Sequence, residues 1–318
     1  MLLPEYSQTE LELPAMSSWP ASRHLFDDVQ RDALRAAEAA GRPLLVRGEP
    51  GTGKSQLAHA AAVASGRAFL PFVVDSRTEA TDLMWRFDAV ARLSDAHLSG
   101  VPGSDVPKGL GPAHYVQPGP VWWAFDWAGA LKQLDGLRTP GHTPEVPAGW
   151  TPRAGSVMLI DEIDKAEAEL PNGLLEALGN GRFGVPPMLG HVVRRGDADA
   201  APLVIITTND ERELPPAFLR RCLVLTLTLP GGGALRDYLV QRGRLHFGTW
   251  ALQHEAALGD AAELLLEDRA HAEGQGLYKP GLAEYLDLLR ALKGVGGDPL
   301  RQLARLRNFV FRKQPEGM

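Results

Sequence analysis

The sequence has little of several features that mark particular classes of protein. Its 318 residues include one cysteine, Cys222, which allows neither an internal disulfide nor a thiolate metal site. Its histidines show no metal-ligand spacing. No apolar run is long enough to span a bilayer, and the opening residues carry three glutamates where a secretory leader would be basic. We therefore expect a cytoplasmic protein that makes no membrane contact.

The charge imbalance is also small. The chain has 33 lysines and arginines against 39 aspartates and glutamates, which gives a net charge of −6. Nothing in that balance favours nucleic acid as a general partner. Hydrophobic residues make up 44% of the chain, enough for a packed core, and the length suits one large and one small domain.

A glycine-rich loop is the most informative motif that the sequence contains. Its glycines leave room for backbone N–H groups to surround an anion. Lys54 supplies a positive charge for the β- and γ-phosphates of a nucleotide, and the Ser55 hydroxyl is a ligand for Mg²⁺. An apolar run precedes the loop and a helix-prone run follows it, so a helix N-terminus would face the phosphates. The predicted nucleotide-binding residues are Gly48, Glu49, Pro50, Gly51, Thr52, Gly53, Lys54, Ser55 and Gln56.

Two acidic residues follow a second apolar run at 157–160. Ligands of open α/β sheets bind at the carboxyl ends of the strands, which is where Asp161 and Glu162 would lie. We expect Asp161 to hold Mg²⁺ through water. Glu162 would orient or deprotonate the water that attacks the γ-phosphate.

Two further polar elements complete the predicted site. Asn209 follows the apolar run 203–208, so its amide would lie beside Asp161 and could bond both the γ-phosphate and the attacking water. Arg220 and Arg221 end a predicted short helix. A guanidinium there could reach the γ-phosphate bound by a neighbouring subunit, or the pair could be a solvated helix cap.

Short apolar runs alternate with helical patterns in the first two thirds of the chain, which predicts an α/β fold with a parallel sheet between helices. After the glycines at 231–233 the spacing is helical throughout, which predicts a small all-α lid domain. We expect a lead-in over 1–25, the α/β domain over 26–230 and the lid over 231–318. Tryptophans 122, 123 and 127 would pack in the core or at a subunit interface. The predicted strands are 44–47, 68–74, 157–160, 203–208 and 223–227, and the predicted helices are 26–40, 55–65, 121–135 and 167–179.

The motif at 48–55, the acidic strand end at 161–164, Asn209 and the arginine pair, in that order before a helical domain, resemble the AAA+ ATPases. More narrowly, the segment Pro118-Gly119-Pro120-Val121 and the run Leu174-Leu175-Glu176-Ala177 resemble the MoxR family. Residues 85–93 are similar to the helix-2-insert hairpin of that clade, and residues 181–193 to its pre-sensor-1 hairpin. The chain departs from the MoxR pattern at Asp164-Lys165, where Asn-Arg is common, and at Asp210, where proline is usual.

The resemblance implies ATP and Mg²⁺ as cofactors and a hexameric ring with its sites at subunit interfaces. In the lid, Lys279 is the candidate for the sensor-2 position, which is normally arginine. MoxR relatives remodel protein clients, typically beside a separate von Willebrand factor A domain protein. The alternative is a nucleic-acid-stimulated motor or defence-system NTPase of the MCM or McrB type, in which Arg182, His191, Arg194 and Arg195 would line a pore.

Overall fold

The computed structural model describes residues 6–7, 9–16, 19–99, 111–196, 201–275, 277 and 279–311. Ahead of the lid, the elements are, in chain order, β1 (Glu10–Leu13), β2 (Ser22–Leu25), α1 (Asp28–Ala40), β3 (Leu44–Gly48), α2 (Lys54–Ser65), β4 (Ala68–Val73), α3 (Ala80–Met84), β5 (Trp85–Phe87), α4 (Ala89–Leu98), β6 (Val116–Pro118), α5 (Pro120–Phe125), α6 (Trp127–Asp135), β7 (Ser156–Asp161), α7 (Glu169–Asn180), β8 (Arg182–Val185), β9 (His191–Arg194), β10 (Leu203–Thr208), α8 (Pro216–Leu219) and β11 (Leu223–Leu227).

Five of these strands form a parallel sheet in the order β11-β3-β10-β7-β4. The three inner strands, β3, β10 and β7, are buried over most of their length, as strands covered on both faces require, and the edge strands β11 and β4 are partly exposed. On β3, Leu44 and Val46 face one apolar cluster and Leu45 faces the other. The five strands predicted from the sequence agree with the structure to within one residue at each end, and the α/β fold class is confirmed.

This strand order places the predicted chemistry at one edge. The loop after β3, the acidic end of β7 and Asn209 after β10 all follow the carboxyl ends of adjacent strands. Helix α1 begins with a capping box between Asp27 and Gln30 and ends at Gly41, whose φ is +60°. That stop returns the chain to β3, which leads into the loop.

The N-terminal segment contains a hairpin that the sequence analysis did not foresee. Strands β1 and β2 pair antiparallel, and the alternation of β1 buries Leu11 and Leu13 while both glutamates are exposed. Together with Tyr6, these leucines join the apolar cluster that lies under α1 and α2. The described part of the predicted lead-in is therefore extended and belongs to the core of the nucleotide domain.

The predicted helix at 121–135 is wrong in one respect, because it is two helices. Asp126 has φ −145° and ψ 81°, and its side chain caps α6 by accepting the Gly129 N–H. The tryptophans are buried, as predicted: Trp122 lies in the core, and the rings of Trp123 and Trp127 lie 4.9 Å apart.

Hairpins are predicted at 85–93 and at 181–193, and only the second forms as expected. Over 85–93, β strand is limited to β5, which pairs antiparallel with β6. Asp88 then accepts the Ala91 N–H and starts α4, so the predicted hairpin is wrong beyond position 88. The second insert is a hairpin as expected, with β8 paired antiparallel to β9.

The described residues of the lid form four helices: α9 (Gly233–Gln253), interrupted at Gly248, α10 (Glu255–Gln275), α11 (Leu282–Val295) and α12 (Pro299–Val310). They enclose an apolar core of their own around Leu239, Leu258 and Tyr285. The helical reading after the glycine run is confirmed as far as 311, and the last residues of the predicted lid lie outside the described part. No helix in the described part is both long and apolar enough to cross a membrane.

Candidate active site

The glycine-rich loop joins β3 to α2 in a conformation that requires glycine. Gly51 and Gly53 have φ of +75° and +92°, which L side chains rarely adopt. At Gly48 the carbonyl oxygen of Leu227 occupies the place of a side chain. Together with the N-terminus of α2, this loop forms a cradle for phosphate oxygens.

Lys54 lies inside that cradle. Its ammonium donates to the backbone carbonyls of Gly48 and Glu49, at 2.8 and 3.0 Å. Burial lowers the pKa of Lys54, and the carboxylates of Asp161, Asp164 and Glu162 partly offset that effect. A buried ammonium held by neutral carbonyls is well suited to a polyanionic ligand, so the residues present fit a nucleotide triphosphate.

The Ser55 hydroxyl lies against the end of β7. It donates to Oδ1 of Asp161 at 2.6 Å, and the Thr207 hydroxyl donates to the same oxygen at 2.6 Å. Hydroxyl and carboxylate oxygens are the ligands that Mg²⁺ prefers, and one or two protein ligands suffice when phosphates supply others. Ser55 and Asp161 therefore fit a magnesium ion. Thr207 was missed in the sequence because it reads as an ordinary strand residue.

Glu162 is held by two donors in a constrained geometry. Its backbone has φ +60°, and its N–H donates to Oγ1 of Thr207. Lys165 donates to Oε2 at 2.5 Å and Asn209 donates to Oε1 at 3.3 Å. The Glu162 hydrogen bond raises the pKa of Lys165. Asn209 thus lies beside the acidic strand end, as predicted.

Asp164 and Asp210 fix the segment around Asn209. Oδ2 of the buried Asp164 accepts the N–H groups of Asn209 and Glu211, at 3.1 and 2.9 Å. Arg47 donates to both carboxylate oxygens of Asp210. The sequence departs from the MoxR pattern at both of these aspartates. Asp164 binds backbone N–H groups and Asp210 forms an ion pair, and both contacts lie next to the Asn209 amide.

Comparison with known proteins agrees with this geometry. The family description "AAA domain (dynein-related subfamily)" matches residues 43–222, more than half of the chain. The chain belongs to the AAA family. It is an AAA+ ATPase and binds a nucleotide, so the predicted family and enzyme class are confirmed at that level.

Two other comparisons add less. No curated protein matches the chain. One similar solved structure is described as "a putative ATPase" from Cytophaga hutchinsonii ATCC 33406. It shares 15% identity, with 84% of this chain and 73% of that chain covered, at a TM-score of 0.39.

In this AAA domain the arginine pair lies away from the phosphate loop of its own chain. Arg220 and Arg221 follow α8 and precede β11, and β11 runs parallel to β3. The pair is therefore at the amino ends of the strands, whereas the loop is at the carboxyl ends, about 15 Å away for a five-residue strand. Both residues are exposed and border an open groove of about 800 Å³ between the start of β3 and α7.

In the described part of the lid, a cation other than the predicted Lys279 contacts the loop. Lys279 pairs with Glu273, which is also in the lid, at 2.7 Å. Arg269 on α10 instead donates to Glu49 of the loop at 2.8 Å and to the Pro280 carbonyl at 2.7 Å. No motif marks Arg269 in the sequence, because it lies inside a helix with ordinary charge spacing. A contact of Lys279 with nucleotide stays a prediction.

Proposed function

We propose that the protein hydrolyses ATP with Mg²⁺ in a homo-oligomeric ring, a hexamer as the MoxR resemblance implies, and remodels a protein client. The main support is the geometry at the carboxyl end of β7, where the acidic residues lie. Ser55, Asp161, Glu162 and Asn209 converge beside Lys54 at the carboxyl edge of one sheet. Its single cysteine favours a reducing compartment, and we place it in the cytoplasm.

Each residue has a separable role in the reaction. Ser55 and Asp161 would hold Mg²⁺, which neutralises phosphate charge when bound. Lys54 binds the phosphates. Glu162 takes up the proton of the attacking water, and the Asn209 amide orients Glu162 and that water without adding charge.

The ring is supported by the position of Arg220 and Arg221. Because the pair is a strand length away from the loop of its own chain, we expect it to serve a phosphate bound by another copy and not one bound by its own. A guanidinium supplied in this way stabilises the charge that develops on the transferred phosphoryl group. Each protomer would thus bind one nucleotide and complete the site of its neighbour.

A protein client is favoured by the inserts. Val90 and Leu93 on α4 are 80% and 61% exposed, and Leu189 at the turn between β8 and β9 is 93% exposed. Exposed apolar side chains suit a protein surface better than a phosphate backbone. A MoxR-like chaperone acting with a separate von Willebrand factor A domain protein would fit this arrangement.

Two substitutions test the ATPase proposal. Lys54→Ala should abolish both ATP binding and turnover with Mg²⁺. Glu162→Gln should abolish turnover and retain nucleotide, because it removes a base and leaves the cradle intact. Bound nucleotide and released phosphate are measured on the same preparation. Normal hydrolysis by Glu162→Gln would remove the proposed mechanism.

The alternative is a nucleic-acid-stimulated motor. Arg182 and Arg194 pair across the base of the β8–β9 hairpin, and Arg195 follows them. His191 is less available for contact with a nucleic-acid strand, because its ring stacks on Trp122 with 5.4 Å between the ring centroids. A salt-sensitive rise in ATPase rate on adding DNA or RNA would favour this alternative over the client remodeller.

A further inference from the structure

Arg42 occupies a backbone position that is fixed on both sides. Gly41 ends α1 in the left-handed region, and the N–H of Arg42 donates to the Ala37 carbonyl at 3.1 Å. Pro43 follows and has its φ fixed by its ring. The side chain of Arg42 therefore starts from a well-defined point at the amino end of β3.

The guanidinium of Arg42 binds three consecutive carbonyls. Nε donates to the carbonyl oxygen of Arg221 at 3.1 Å. Nη2 donates to the carbonyl oxygen of Arg220 and, at 3.4 Å, to that of Cys222. These carbonyls follow α8, a helix of four residues, and the last carbonyls at the end of a helix have no intrahelical N–H donor. A planar cation with five donors can satisfy several carbonyls at once, which a lysine cannot do in the same geometry.

The same segment has a second attachment to β3. The Leu223 N–H donates to the Pro43 carbonyl at 2.9 Å, and from there β11 pairs with β3 in register. Strand β3 carries the phosphate loop at its other end. Arg42 thus connects the arginine pair, which faces outward, to the strand that carries the nucleotide of the same chain.

We propose that Arg42 is a positioning residue for the arginine pair. By binding the carbonyls at 220–222 it fixes the backbone from which Arg220 and Arg221 extend, so that their guanidinium groups reach a neighbouring protomer. This inference rests on the proposed ring. It predicts that loss of Arg42 damages hydrolysis at the neighbouring site and leaves the chain's own phosphate loop intact.

A purely structural role for Arg42 would give a different pattern. If Arg42 only stabilised the domain, its removal would lower nucleotide affinity and turnover of the same chain together. In a positioning role, nucleotide affinity is kept while turnover falls, because the affected phosphate is bound by another copy. Measurements on mixtures of two variants distinguish the two patterns.

The experiment compares Arg42→Ala with Arg42→Lys and with Arg35→Ala, which removes an exposed arginine from α1. We expect Arg42→Ala to keep its ATP affinity within about twofold and to lose turnover roughly 10- to 100-fold, as misplacement of a catalytic group does. Arg42→Lys should recover part of the rate, and Arg35→Ala should match the unchanged protein. Thermal melting of each variant reports whether it folds.

Mixed assemblies then locate the defect. Arg42→Ala has an intact phosphate loop and Glu162, and Glu162→Gln has an intact arginine pair. An interface is therefore complete when Arg42→Ala supplies the loop and Glu162→Gln supplies the arginine pair, and the reverse order carries both defects. In an equimolar mixture such interfaces are roughly a quarter of the total, and the rate should exceed the sum of the two separate rates. A mixture with no gain, or an ATP affinity that falls with turnover, would overturn the positioning role. If Arg42→Ala does not fold, Arg42→Lys takes its place in the mixture.

A parallel mixture separates this inference from the ring itself. The double substitution Arg220→Ala and Arg221→Ala is mixed with Glu162→Gln in the same way. If that mixture gains activity and the Arg42 mixture does not, the ring stands and the role of Arg42 is wrong. If neither gains, the arginine pair does not act between protomers, and the proposed ring mechanism fails first.

Discussion

Arg269 of the lid and Glu49 of the phosphate loop form an ion pair, with 2.8 Å between Nη2 and Oε2. The same guanidinium holds the Pro280 carbonyl just before α11. Nearby, Ala283 packs so closely on the loop that a methyl group on Gly51 would lie 3.0 Å from its Cβ. The lid and the loop are therefore in direct contact, and a movement of one changes the environment of the other.

A double-mutant cycle on this pair measures the coupling. Arg269→Gln and Glu49→Gln should each weaken ATP binding by about two- to fivefold, in keeping with a partly exposed ion pair. The double variant should bind ATP no more weakly than the poorer single variant, since the shared contact is already lost. Lys279→Gln, which breaks a pair within the lid, should show no coupling with Glu49→Gln. Additive losses for the Arg269–Glu49 cycle would contradict a direct interaction.

The ion pair between Lys165 and Glu162 should restrain the base. Lys165 and Asn209 each donate to one oxygen of the Glu162 carboxylate, so the attacking water competes with these donors for the carboxylate. Lys165→Met should raise basal ATP turnover about two- to fivefold, the range for one partly exposed ion pair, without changing ATP affinity. Lys165→Arg keeps the charge and should leave the rate unchanged. A lower rate in Lys165→Met would mean that the lysine supports catalysis.

The backbone at Asp210 explains why this chain has no proline there. Its φ is +58°, whereas a proline ring requires about −65°, and its N–H donates to the Thr208 hydroxyl at 2.9 Å. Asp210→Pro should lower the free energy of unfolding by about 3 kcal/mol. Asp210→Gly suits the φ and loses the Arg47 ion pair, so it should cost about 1 kcal/mol or less. Denaturant unfolding of the two variants gives the comparison, and equal losses would refute the argument.

The buried His24 and the partly buried His246 should make the fold sensitive to acid. Burial lowers the pKa of His24 to about 4, and burial, then the nearby Arg242, lowers the pKa of His246 to about 4. Below the ordinary value of 6.5 the unfolded chain takes up protons that the folded chain refuses, so stability is full above pH 6.5 and falls as the pH drops towards 4.

The loss for His24 alone is on the order of 3 kcal/mol. His24→Gln should flatten the dependence of the melting temperature on pH between 6.5 and 4. His97→Gln removes an exposed histidine of α4 and should leave the dependence as it is. An unchanged pH dependence in His24→Gln would show that folding does not lower the pKa of His24.

The sheet and the central site could be predicted because their signals are local. Apolar runs of strand length and fixed spacing around Lys54 and Glu162 carry the information in adjacent residues. The position of Asn209 beside the acidic strand end followed from strand adjacency alone, and the structure places its amide 3.3 Å from Oε1 of Glu162.

What the sequence could not predict depends on contacts between distant residues. Arg42 meets the 220–222 carbonyls 178 or more positions along the chain, and Arg269 meets Glu49 at a separation of 220. Neither lies in a motif. The break at Asp126 and the start of α4 at Asp88 were missed for another reason. In both, a short acidic side chain caps a helix and overrides the surrounding periodicity.

Substitutions at Gly48 and at Lys54, within the same loop, should fail for two different reasons. The Leu227 carbonyl, at the end of the last strand, fills the volume that any larger residue at 48 would need. A saturation library across the loop should therefore reject substitutions at both Gly48 and Lys54, but at separate stages. Variants at position 48 would give little soluble protein. Variants at position 54 would accumulate normally and show no ATPase activity. Scoring abundance and activity separately would tell folding constraint from chemical constraint in a single screen.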